Sequence, residues 1–169
     1  YLSRGDFQEA ERALLQSIQI SEKAPGADPA DVAVSVGNLG ALYSRVGLYE
    51  DAEPLVRRAL ASLEKTVGPN HPDVGTFLNN LGEVLLSRGE YSQAEGYFQR
   101  SLSIADKDPA SRPSEVAYCL NNLALATRMQ GRYSEAEPLY LRALLILETV
   151  LGPNHPDVAT ILNNIAAMQ

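Results

Sequence analysis

Gly89-Glu90-Tyr91-Ser92-Gln93-Ala94-Glu95 decides the fold, because its marks return along the chain in fixed register. Gly5-Asp6-Phe7, Gly47-Leu48-Tyr49 and Gly131-Arg132-Tyr133 stand at steps of 42 residues, each followed by an Ala-Glu pair: Ala10-Glu11, Ala52-Glu53, Ala94-Glu95 and Ala136-Glu137. No insertion or deletion disturbs the spacing. Self-similarity at such a period marks a repeat architecture, in which each unit buries its apolar face only against its neighbours.

Between the marks the apolar residues keep a helical period. Leu78, Leu81, Gly82 and Leu85 fall at i, i+3, i+4 and i+7, and Ala94, Phe98, Ser101 and Leu102 repeat the pattern after the turn. Each unit is therefore two antiparallel helices. Gly89 is the expected C-cap of the first helix and Ser92 the expected N-cap of the second. Gly40, Gly82, Ala124 and Ala166 on first helices, with Ala52, Ala94 and Ala136 on second helices, would let backbones approach closely. Pro54 and Pro138 are placed inside the first turn of their helices, where a proline loses no intrahelical bond. The expected helices are 8–23, 30–46, 50–66, 72–88, 92–107, 114–130, 134–151 and 156–169, with no strand.

The connections carry a second pattern. Val67-Gly68-Pro69-Asn70-His71-Pro72-Asp73-Val74 returns as Leu151-Gly152-Pro153-Asn154-His155-Pro156-Asp157-Val158. Glycine stops one helix and Pro-Asp starts the next. The connections around Pro25-Gly26 and Pro109-Ala110 lack this motif, so the units alternate, as duplication of an 84-residue pair would produce. One array is expected over 1–169: a partial repeat 1–29, repeats 30–71, 72–113 and 114–155, and a partial repeat 156–169. Tyr1-Leu2-Ser3-Arg4-Gly5 matches Leu85-Leu86-Ser87-Arg88-Gly89, the end of a helix, so the chain reads as a piece of a longer array.

Composition bounds the partners. The 169 residues are 45% hydrophobic, enough for a continuous core. A formal net charge of -7 opposes non-specific attraction to nucleic acid or to anionic membrane, since both need surplus Lys and Arg. Cys119 is the only cysteine, so no intrachain disulfide forms. No apolar run is long enough to span a bilayer, and the lone cysteine, which frees the fold from dependence on an oxidising compartment, fits the cytoplasmic setting that is expected.

The G-x-[YF]-x-x-A-E register, the Asn79-Asn80-Leu81-Gly82 and Asn121-Asn122-Leu123-Ala124 steps and the GPNHPDV connection together resemble the 42-residue tetratricopeptide repeats of kinesin light chains and their bacterial relatives. The resemblance covers practically the whole chain. It implies an all-α fold, a right-handed α-solenoid whose concave face is lined by first helices and holds an extended peptide, often acidic and aromatic. Paired asparagines in that family grip the peptide backbone. No heptad segment accompanies these repeats, so a motor-transport role is unsupported.

A helical wheel of about 100° per residue places Thr76, Asn79, Asn80, Glu83, Leu86 and Ser87 opposite the buried stripe of one first helix. Their equivalents are Val34, Gly37, Asn38, Ala41, Ser44 and Arg45, then Tyr118, Asn121, Asn122, Leu125, Arg128 and Met129, then Thr160, Asn163, Asn164 and Ala167. Only Glu83 among them is acidic, which favours a polar or acidic ligand. The candidate peptide-binding residues are Asn38, Asn79, Asn80, Asn121, Asn122, Asn163 and Asn164, whose amides offer donor and acceptor to an extended backbone. Arg45, Arg128 and Tyr118 complete the set. Either asparagine column could instead bond to the neighbouring helix and fix repeat stacking.

Nothing in the pattern points to catalysis or to a cofactor. His71 and His155 sit in identical turns without companion ligands and read as turn residues, not metal ligands. Cys119 reads as a packed thiol. Glu50, Asp51, Glu53, Glu135 and Glu137 read as a solvated outer face on second helices. The function expected is a protein-interaction module for an extended peptide. The alternatives are a structural or oligomerising scaffold, self-associating through its repeat ends, or a regulatory domain of a larger signalling protein or enzyme.

Overall fold

The computed structural model describes residues 4–108 and 112–168. Eight helices follow one another among these residues, with no strand: α1 (Arg4–Lys23), α2 (Pro29–Arg45), α3 (Tyr49–Thr66), α4 (Pro72–Ser87), α5 (Tyr91–Ala105), α6 (Pro113–Met129), α7 (Tyr133–Leu151) and α8 (Pro156–Ala166). The expected boundaries lie within two residues of these, except that α1 begins four residues earlier and α8 stops at Ala166. The Pro109-Ala110 connection, residues 1–3 of the proposed mid-repeat start and Gln169 lie outside the described residues.

The chain divides into two compact units, Tyr1–Arg88 and Gly89–Gln169. In the first, α1 packs on α2, α2 on α3 and α3 on α4, and α2 also touches α4. Its core holds Val36, Val56, Leu63, Leu78, Leu81 and Leu85. In the second, α5 packs on α6, α6 on α7 and α7 on α8. Tyr140, Leu120, Leu147 and Ile161 fill that core.

Local chemistry explains where helices begin and end. Pro29, Pro72, Pro113 and Pro156 each occupy the first helical position, where the missing N–H is no loss. Asp28 caps α2 by accepting from the Ala30 N–H at 2.8 Å. The end of α2 closes in a Schellman arrangement: Leu48 N–H donates to the Tyr43 carbonyl at 2.9 Å while Gly47 takes φ 85°. Gly131 takes φ 79° at the same place after α6. A side chain there would be strained, which is why glycine returns at this step.

Three local expectations are corrected. Ser92 lies inside α5, whose N-cap is Glu90 with no side-chain cap bond. Pro54 and Pro138 lie inside α3 and α7 rather than in the first turn. The first i to i−4 bond of α3 runs from Ala52 N–H to the Leu48 carbonyl at 2.9 Å, so Pro54 leaves the Glu50 carbonyl without its helical donor. Glu50 is exposed and water can replace the bond, while buried Ala52, Val56 and Ala59 hold the helix on its packed side. Finally, Ala166 is exposed, unlike buried Gly40, Gly82 and Ala124, so it makes no such close approach among the described residues.

Candidate functional site

In the first unit the solvent side of α2 and α4 carries exposed Asn38 and Arg45 and half-buried Asn79 and Asn80. Asn79 Nδ2 donates to Glu83 Oε1 one turn along the same helix, at 2.8 Å. Arg45 makes no hydrogen bond or ion pair among the described residues and stands in the last turn of α2, where a cation suits the helix dipole. Gly37 departs from the expected lining. It is buried under the Phe77 ring of α4, and a Cβ at residue 37 would come within 2.0 Å of Cε1. The amide column is interrupted there because an aromatic ring fills the space an asparagine would need.

In the second unit α6 and α8 bring together Tyr118, Asn121, Asn122, Asn163 and Asn164. Asn164 Nδ2 donates to Asn121 Oδ1 at 2.9 Å, and Asn121 Nδ2 donates to Asn122 Oδ1 at 3.1 Å. The two amide columns therefore meet across neighbouring first helices, and Asn163 is exposed beside them. Tyr118, 43% exposed, donates its hydroxyl to Asp157 Oδ2 at 2.6 Å. That hydrogen bond, with burial, holds the Tyr118 hydroxyl above the ordinary phenol pKa.

Two features of this face differ from the sequence reading. Asp157 adds a carboxylate to a face expected to hold only Glu83 as acid. It sits in the first turn of α8, about 60° around the helix from Thr160, and Tyr118 draws it in. The signal that could have found it is the column Asp31, Asp73, Glu115 and Asp157, acidic at every period. Arg128 is half-buried rather than free on the solvent side: its Nε is enclosed and its guanidinium lies beside the Tyr140 hydroxyl. Burial raises the Tyr140 pKa and Arg128 opposes the rise. Arg128 stands at the edge of the buried arc of α6, so its long side chain folds inward along apolar surface.

In three of the four second helices the glutamate of the recurring Ala-Glu pair joins its helix to the end of the next first helix or the turn after it, whereas Glu137 of α7 is exposed. Glu11 accepts from the Tyr43 hydroxyl at 2.7 Å. Glu53 accepts from Arg88 and, at 2.8 Å, from Arg57. Glu95 accepts from Arg132 and, at 2.8 Å, from Gln130. Glu53 and Glu95 are thus largely enclosed, not part of a solvated outer face. The Arg132 hydrogen bond, partly offset by burial and helped by Gln130, lowers the Glu95 pKa. The Glu11 hydrogen bond, with burial, pushes Tyr43 up to about 12. A further pair of ties repeats at 84 residues: Arg58 to Glu22 at 2.8 Å and Arg142 to Asp106 at 2.7 Å.

His71 and His155 cap α4 and α8, accepting through Nδ1 from the Asp73 N–H at 3.3 Å and the Asp157 N–H at 3.2 Å. Buried Cys119 lies 3.1 Å from the Ser101 hydroxyl. Among the described residues no group of three or more His, Cys, Asp or Glu could hold a metal ion, and no helix is long and apolar enough to cross a membrane.

Tetratricopeptide repeat family models match residues 1–65, 31–107 and 116–157. Comparison with curated proteins finds no match. Among solved structures, the chain is similar to BtubC (BKLC) from P. vanneervenii at 21% identity and TM-score 0.77, over 96% of this chain and 65% of that one. The chain thus spans 65% of that relative's length. It is also similar to a Podosopora anserina putative kinesin light chain with nearly identical TPR-like repeats, at 22% identity and TM-score 0.77, over 97% of this chain and 78% of that one. A point variant of that protein gives TM-score 0.78 at 22% identity, over 97% of this chain and 77% of its own. These likenesses show the fold, an all-α solenoid of antiparallel helix pairs, and with family models matching most of its length the chain belongs to the tetratricopeptide repeat family.

Proposed function

We propose that the chain is a binding module that holds an extended, polar or acidic peptide segment of a partner protein along the solvent-facing sides of its first helices. Tetratricopeptide repeats mediate protein–protein interaction. The observation that carries the finer reading is the recurrence of paired asparagines on that side, at Asn79-Asn80, Asn121-Asn122 and Asn163-Asn164. Asparagine is a mediocre helix former, and an amide retains a spare proton and lone pair after one hydrogen bond of each kind, as a peptide backbone requires. Exposed Arg45 supplies attraction for a carboxylate in the first unit. Tyr118 supplies an aromatic surface in the second.

The test is selection on a peptide array followed by titration of the chosen peptide with wild type and with Asn79→Ala/Asn121→Ala. Weaker binding by a folded double variant supports the reading, and unchanged affinity overturns it. The alternative reading is a structural or oligomerising scaffold that associates through its repeat ends. Light scattering over a concentration series separates the two, because self-association grows with concentration and peptide binding does not require it.

A further inference from the structure

The cap of α8 is joined to the face of α6 through one carboxylate. His155 Nδ1 accepts the Asp157 N–H at 3.2 Å, so that nitrogen carries no proton in this arrangement. The same Nδ1 stands 3.6 Å from Asp157 Oδ2. That oxygen is also the acceptor of the Tyr118 hydroxyl, at 2.6 Å. Three groups therefore share one short path: an imidazole, a carboxylate and a phenol on the neighbouring first helix.

We propose that His155 is a proton-operated switch on the second unit's first-helix face: on taking a proton at Nδ1 it releases the Asp157 N–H and turns to the Asp157 carboxylate, drawing it off Tyr118. The proton comes from solvent, to which both His155 and Asp157 side chains are open. Protonation converts Nδ1 from acceptor to donor, so the backbone bond is lost, and the carboxylate oxygen 3.6 Å away is the one Tyr118 already uses. Oδ2 can accept two donors, so the loosening comes from movement: as the carboxylate follows the imidazolium of its own segment, the Tyr118 bond between α6 and α8 lengthens. Asp157 faces the imidazole from its own segment and Tyr118 from α6, through the carboxylate. Among the described residues no other charged side chain stands within ion-pair distance of His155.

The chain contains its own control. His71 repeats the cap, with the Asp73 N–H at 3.3 Å and Asp73 Oδ2 at 3.5 Å. Two periods before Tyr118 the chain has Val34, which carries no hydroxyl, so the first unit has the imidazole and the carboxylate without the phenol. The switch needs no partner protein, and its test does not depend on the peptide reading, although both involve Tyr118.

The experiment is an NMR titration of the isotope-labelled 169-residue chain between about pH 5 and 8, where imidazoles commonly titrate. It follows His155 Nδ1, the Asp157 amide and the Tyr118 ring. All three are expected to shift with one midpoint. In His155→Asn, which keeps a capping acceptor that does not titrate, the Tyr118 shift is lost over this range, whereas His71→Asn leaves it in place. Tyr118→Phe, with the cap untouched, is expected to retain the Asp157 amide shift and lose the ring shift. A Tyr118 ring that does not move with His155 in wild type, or that still moves in His155→Asn, overturns the proposal. A ring shift that survives unchanged in Tyr118→Phe overturns it as well, since the hydroxyl would then play no part.

Discussion

The Phe77 ring of α4 covers Gly37 of α2 so closely that a Cβ on residue 37 would stand 2.0 Å from Cε1 and 2.6 Å from Cζ. The ring is only 3% exposed and has little room to retreat. Gly37→Asn, which restores the residue found at the same register in later repeats, is expected to overpack this contact and cost about 1–3 kcal/mol. Phe77→Ala alone leaves a cavity and costs about 3–5 kcal/mol. Because the two residues touch, the double variant should be more stable than the sum of the single losses implies. Thermal melts of the three variants measure this, and strict additivity would show that the ring does not set the glycine.

Gly40 tests the close approach of paired helices. A Cβ there would stand 2.6 Å from Val56 Cγ2 and 3.1 Å from the Ala52 carbonyl oxygen. Gly40→Leu should therefore lower stability by at least about 1–3 kcal/mol, whereas Glu50→Ala, on the exposed side of α3, should stay within about 0.5 kcal/mol. Equal melting temperatures for the two variants would contradict the packing.

Glu95 predicts a pH dependence with a definite sign. Its folded pKa lies below the ordinary glutamate value of 4.5, so its ties to Arg132 and Gln130 stabilise the fold above the unfolded pKa and are lost as pH falls through the folded one. Glu95→Gln should cost about 1 kcal/mol near neutral pH, the full value of a charged hydrogen bond being reduced because Arg132 is 36% exposed. The gap between wild type and variant should close as acidification proceeds below the ordinary glutamate value of 4.5. A gap that stays constant from neutral pH to about pH 3 would refute the assignment.

Tyr43 has the opposite sign. Its folded pKa is pushed up to about 12, so the Glu11 tie is fully present below the ordinary tyrosine value of 10.0 and is lost as pH rises through the folded value. Ultraviolet absorbance should find a late phase in the alkaline range to which Tyr43 contributes beside Tyr118 and Tyr140, whose pKa values are also raised, and Tyr43→Phe should reduce that phase by one tyrosine. If the variant and wild type give the same late phase, another residue is responsible.

For binding, each amide that bonds the peptide backbone is worth about 0.5–1.5 kcal/mol. Asn79→Ala/Asn121→Ala should then weaken the selected peptide roughly five- to hundredfold, measured by calorimetric titration with circular dichroism as the fold control. Arg45→Ala should weaken an acidic peptide and flatten its salt dependence, since an exposed cation acts through a screened interaction. An unaltered salt profile would remove Arg45 from the site.

The repeat was legible because its punctuation is local. Gly47 and Gly131 stand where the chain needs a positive φ, and prolines at 29, 72, 113 and 156 stand where a helix can begin without a donor. The helical spacing of Leu78, Leu81 and Leu85 then told inside from outside. What stayed hidden depends on partners far along the chain. The Phe77–Gly37 compensation breaks the period on two helices at once and therefore looks like irregularity in either. Arg128 occupies a register position at the margin of the solvent side, and only the place of Tyr140 decides that it folds inward. The asparagine columns could be seen one repeat at a time, yet the Asn121–Asn164 bond joins one column to the other, a relationship that alignment by the repeat period conceals.

The glutamate of the Ala-Glu pair stays the same at 11, 53 and 95, while its donors change from Tyr43 to Arg88 to Gln130 and Arg132. Such a joint has a fixed socket and an interchangeable plug. A phenol, a guanidinium or an amide at slightly different offsets can each seat in it, so a donor can be exchanged by single substitutions without remaking the helix that receives it. Arrays of this kind can consequently gain, lose or trade repeats by recombination at the period, each new junction finding an acceptor already in place. Positions on the solvent side of the first helices are then left to diverge from one repeat to the next independently of these joints.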